Sequence, residues 1–144
     1  MHLIKYIALR KVIDYKSATF HIQIRCGAFK MNIFTRNKEL NFSEENIESL
    51  TKSVTELKDV LNKIGTSLGQ QELTNVLASA MKKDSKLFRK YVLTNELFGG
   101  AGALWELYCG NDKLQSEFQK KFNEFCQDLI SIGIKNRRIK QVMD

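Results

Sequence analysis

Two stretches place apolar residues in steps of three and four, and that spacing constrains the fold more than any other feature of the chain. Ile47, Leu50, Val54, Leu57, Leu61 and Ile64 advance by 3, 4, 3, 4 and 3. Leu114, Phe118, Phe122, Phe125, Leu129 and Ile132 advance by 4, 4, 3, 4 and 3. On a helix such steps collect side chains on one stripe, whereas a half-buried strand needs a period of two. Each stretch is shorter than a sustained coiled coil requires, so the pattern predicts helices of an antiparallel bundle. The absence of proline supports this, because nothing in 144 residues interrupts a helix by removing a backbone donor.

Local signals bound the elements. Ser43 followed by Glu44 and Glu45 is a helix start, with a hydroxyl to take an orphan amide and two acids in the first turn. Gly65 and Gly133 are the expected stops. A second helix is predicted from about Gly69 to Lys83, burying Leu73, Val76, Leu77, Ala80 and Met81. Asp84-Ser85 breaks and recaps the chain. A third helix follows, with Leu87, Phe88, Tyr91, Val92 and the Leu97-Phe98 pair turned inward. Leu104, Trp105, Leu107 and Tyr108 read as a short apolar helix, and Asp112 as the cap of the last long one. The expectation is a compact all-α antiparallel bundle of about four to five helices. Residues 31–134 form the helical domain and residues 135–144 a basic, frayed tail.

Charge is unevenly placed. The net charge of +7 lies wholly in residues 1–38, which hold eight Lys/Arg and one acid, while the remainder carries equal numbers of both signs. Residues 1–30 thus form a basic extension. Within it, Phe20, Ile22, Ile24 and Cys26 alternate with polar residues, as a short strand would. A second reading starts the native product at Met31. Gly27-Ala28 can be encoded by a ribosome-binding core roughly eight nucleotides upstream of that codon, which makes the leader a candidate annotation artefact. No stretch is apolar enough to span a bilayer, so no membrane role is expected. Three cysteines (Cys26, Cys109 and Cys126) without a CxxC pair read as reduced thiols of a cytoplasmic protein.

Chemistry-bearing constellations are sparse. Gly99, Gly100 and Gly102 lie before an apolar segment, but no Lys-Ser/Thr follows as in a phosphate loop. The plainer reading is a sharp turn or a close helix crossing. Cys109 and Cys126 have no histidine in residues 31–144 to activate them, and no Cys/His set is spaced for zinc. Glu106 beside apolar aromatics is a candidate carboxylate, more simply an exposed or capping one. Trp105 reads as a core anchor. Lys135, Arg137, Arg138 and Lys140 form a basic patch able to meet phosphate or an acidic partner. The alternative is a solvated tail complementing the preceding helix end. No catalytic residue, cofactor or metal site is predicted.

Leu97-Phe98-Gly99-Gly100-Ala101-Gly102-Ala103-Leu104-Trp105-Glu106-Leu107 resembles a turn found in a family of small uncharacterised bacterial all-helical domains. There the pattern is Gly-Gly-Met-Gly-Ser, two residues, then Asp-Leu. Gly99, Gly100, Gly102 and Leu107 match, while Ala101, Ala103 and Glu106 stand in place of Met, Ser and Asp. The resemblance covers about residues 45–132. It implies a bacterial protein without an established activity, similar in size and architecture to immunity or accessory proteins. The expected function is therefore non-catalytic protein binding. The alternative is a small nucleic-acid-binding regulator using the basic tail.

Overall fold

The computed structural model describes residues 39–144, and the leader, its strand and the Met31 start lie outside the described residues. Among those described, the chain is all-α: α1 (Glu44–Ile64), α2 (Gln70–Met81), α3 (Ser85–Val92), the one-turn α4 (Asn95–Phe98), a 3-10 turn (Leu104–Glu106), α5 (Asp112–Ile132) and α6 (Arg137–Met143). No helix of these residues is long and apolar enough to cross a membrane.

The helix caps follow the sequence closely. Ser43 accepts from the Asn46 amide, and the Asp84 carboxylate accepts from Lys86 and Leu87. Gly65 and Gly133 end α1 and α5 in the left-handed conformation. One cap differs. Asn111, not Asp112, stands in extended backbone and takes the Lys113 and Leu114 amides, so Asp112 becomes the first helical residue. There its charge still complements the dipole.

The two periodic stretches become the longest helices and pack antiparallel. Asn41 N–H meets the Ile132 carbonyl, Ser49 meets Asp128, Glu56 meets Lys121, and Lys63 meets Glu117. Residue numbers rise along one helix as they fall along the other. Leu50, Val54, Leu57, Val60 and Leu61 of α1 and Phe118, Phe122, Phe125, Cys126, Leu129 and Ile132 of α5 are all buried in the shared core. Val60 joins a stripe that the sequence pattern placed without it. α2 folds back along α1, bonding Lys58 to Thr74 and Asn62 to Gln70. Phe88 of α3 is fully buried and meets Phe42 edge to face at 5.2 Å. Phe98 closes the core against Phe122 and Phe125.

Four sequence expectations need correction here. The third helix ends at Val92, because Thr94 turns to extended backbone and Leu97-Phe98 start over in α4. Met81 is 57% exposed: it sits at the last residue of α2, where the chain turns through Lys83 at φ 54°. The 104–108 segment makes only a 3-10 turn, and Tyr108 points outward. The tail is not frayed. Ile139, Val142 and Met143 recur at helical spacing, so α6 has an apolar edge; Ile139 is fully buried, and Val142 and Met143 pack on the core.

Candidate functional site: the glycine turn and its aromatic loop

The glycine cluster and the basic tail, far apart in sequence, meet. At Gly99 a Cβ would lie 2.1 Å from the Asn95 carbonyl oxygen, so only glycine lets the chain leave α4 at this angle. Its own carbonyl is an acceptor for two side-chain donors. Trp105 Nε1–H donates to it at 3.0 Å, and Arg138 donates from Nη1 to both Gly99 and Phe98 carbonyls. These are orphan acceptors of the kind a terminated helix leaves behind. A guanidinium satisfies several such groups from one planar fork.

The next residues are tied locally. Gly102 adopts φ +88° with open space around it, and its amide donates to Glu106 Oε2 at 3.1 Å. Glu106 is exposed, so the carboxylate acts as a turn cap, in line with the plainer reading. Gly100 faces open space and is exposed. Trp105 is half-buried, holding the turn with its N–H and resting its ring on the core.

Gln115 is the residue that the sequence reading missed. From the first turns of α5 its Oε1 accepts the Cys109 amide at 2.9 Å, and its Nε2 donates to the Leu107 carbonyl at 3.1 Å. Both neighbours of Tyr108 are thereby fixed by one carboxamide. Tyr108 itself remains 75% exposed. A signal did exist: Gln115, Gln119 and Asn123 recur every four residues, each one position after Leu114, Phe118 and Phe122. They therefore form a polar row beside the apolar stripe.

That row borders a cavity of about 310 Å³ lined by Trp105, Gln115, Phe118, Gln119, Phe122, Asn123 and Val142. A second cavity, about 250 Å³, lies along the α1–α5 seam beside Lys121. Here Lys121 bridges Glu124 at 2.8 Å and Glu56 at 2.6 Å. Hydrogen bonds to these two carboxylates push the Lys121 ammonium up to about 12, and the Lys121 bond holds Glu56 below its usual value. With two carboxylates on one ammonium, this cluster ties the two helices together and keeps a net negative charge. At another edge, Glu96 is raised because its carboxyl shares a hydrogen bond with Glu72 and feels that residue's charge.

Of the described thiols, Cys109 and Cys126 are both held in the neutral, less nucleophilic form. Burial pushes Cys126 up to about 12 and also raises Cys109. Among the described residues no group of three or more His, Cys, Asp or Glu is placed to hold a metal ion. The basic patch is divided: Lys135, Arg137 and Lys140 are exposed, while Arg138 turns in to the glycine turn. Comparison with protein-family models, with curated proteins and with solved structures finds no match for this chain.

Proposed function

We propose that this chain works by binding another protein, with no chemistry of its own, through the face carrying Trp105 and Tyr108. One observation supports the reading above the others: Tyr108 is 75% exposed although the backbone on both its sides is fixed by Gln115. An exposed aromatic on a held backbone has little conformational entropy to lose when a partner covers it. Tyrosine and tryptophan are also the residues that most often dominate protein interfaces. We also propose kinship with the small bacterial helical domains, on the sequence of the glycine turn. Glu106, at the position of that family's Asp, takes the Gly102 amide at 3.1 Å. On that kinship the protein is a cytoplasmic bacterial accessory or immunity-like partner. The nucleic-acid alternative is left with Lys135, Arg137 and Lys140, since Arg138 is engaged within the fold.

Site-specific photocross-linking in the native cells tests the proposal. Benzoylphenylalanine at position 108 is expected to trap one discrete protein, and the same group at Lys58, on the α1–α2 side, is expected not to. Equal background adducts at the two positions overturn it.

A further inference from the structure

The carboxamide row on α5 has only its first member engaged. Gln115 accepts from one amide and donates to one carbonyl of the chain's own Leu107–Cys109 segment, and the side chain between them, Tyr108, is displayed. A carboxamide carries both a donor and an acceptor, so it can satisfy both kinds of peptide group at once. The Leu107 carbonyl and the Cys109 amide both turn to Gln115, as C=O of one residue and N–H two residues on do along one side of an extended chain.

Gln119 and Asn123 continue the row. Among the described residues neither side chain has a protein hydrogen-bond partner. Successive members are four residues apart, about 6 Å along the helix at a rise of about 1.5 Å per residue. An extended chain repeats its same-side peptide groups every two residues, about 6.6–6.8 Å. The two repeats are close enough for one extended segment to meet both carboxamides. Behind them, Trp105, Phe118, Phe122 and Val142 supply apolar walls to the cavity of about 310 Å³. At about 30 Å³ per water, this is the room of about ten waters, enough for one large side chain. None of the lining side chains is ionisable, so this half-open cavity offers an incoming charge no counter-charge.

We propose that this cavity receives one bulky uncharged side chain from an extended segment of a partner protein, whose main chain Gln119 and Asn123 hold as Gln115 holds Leu107 and Cys109. The inference rests on the protein-binding reading and specifies the partner's chemistry.

A displayed library of randomised hexapeptides, selected on the full chain, tests it. The enriched peptides are then synthesised and titrated, with Trp105, the chain's single tryptophan, as the fluorescent reporter. Enriched sequences are expected to share one large aliphatic or aromatic residue and to shift Trp105 emission. Gln119→Glu combined with Asn123→Asp is expected to weaken them about tenfold or more at unchanged Tm, and the milder Gln119→Ala to weaken them less. Three results overturn the inference: no enrichment over a surface lacking the protein, a charged anchor residue, or equal affinity for the double variant. Peptides that ignore the double variant but are lost in Tyr108→Ala defeat the cavity while leaving the broader reading standing. Absence of a discrete adduct at position 108 defeats the broader reading, however the peptides behave.

Discussion

The α1–α5 pair and the 99–111 loop lie in one fold but are held by different forces. Between the long helices, buried aliphatic and aromatic side chains interlock along the whole pair, and the polar ties at Ser49–Asp128, Glu56–Lys121 and Lys63–Glu117 sit at its edges. The loop anchors Ala103 and Leu104 in the core and rests Trp105, Leu107 and Cys109 on it, but its irregular backbone has no helical ladder to hold it. Point contacts fix it: the Gly99 carbonyl under Trp105 and Arg138, the Gly102 amide on Glu106, and Gln115 on either side of Tyr108. Area-driven packing is distributed over many contacts, and its loss grows with the side-chain volume removed. Point contacts are few, and each has a specific partner to lose. A region meant to display Tyr108 has to be built the second way, because burying the ring would remove it from the surface.

This contrast can be broken by substitution. The largest effect belongs to the helix pair: Phe125→Ala is expected to cost about 3–5 kcal/mol and Leu57→Ala about 2–5 kcal/mol, both being fully buried. Urea unfolding measures this, and a loss under about 1 kcal/mol means that the seam is not the core.

Next come the loop glycines. Gly102→Val forces a β-branched residue to φ +88° at a cost of about 1–3 kcal/mol. Gly99→Ala should lower Tm more, since its Cβ meets backbone and Gly102 faces open space. The reverse order in thermal melts would place the strain in the wrong residue.

Neighbouring arginines sharpen the comparison further. Arg138→Ala removes charged hydrogen bonds to two carbonyls and is expected to cost about 1.5–3 kcal/mol. Arg137→Ala, on an exposed side chain, should stay within about 0.5 kcal/mol. Equal effects would show that α6 is held by its apolar edge of Ile139, Val142 and Met143 alone.

The smallest effects separate by pH. Glu56 is lowered by Lys121, so its contribution is present above the ordinary carboxylate range and is lost as pH falls through its depressed value. Glu96 is raised by Glu72, so its effect has the opposite sign. The folded state holds that proton more tightly than the unfolded chain does, and the benefit disappears as pH rises through the elevated value. Glu96→Gln should therefore raise Tm slightly at about pH 7 and lose that advantage below about pH 4. A pH-independent shift would remove the carboxyl pair as the cause.

Much of the helical frame was readable without coordinates. The stripes of α1 and α5, the Ser43 and Asp84 caps and the Gly65 and Gly133 stops are local effects, set by helical period and by side chains bonding amides two or three residues away. The candidate site was readable only in pieces. Gly99, Gly102, Trp105 and Glu106 stood out by composition, yet the tail read as frayed because its charges concealed the helical spacing of Ile139, Val142 and Met143. Gln115 was overlooked because a glutamine on a helix face is ordinary until something sits opposite it.

Taken alone, the sequence determined the helices of residues 44–92 and 112–132 and which of their faces would be apolar, because backbone geometry and water act on every short window. Tertiary structure decided where single polar groups ended. Arg138 reaches carbonyls 39 and 40 residues upstream, Gln115 spans Tyr108, and the remaining carboxamides border a Trp-floored cavity. Such pairings depend on how whole helices dock, and a hydrogen bond requires its partner within about 3 Å, a condition that no local window of residues contains.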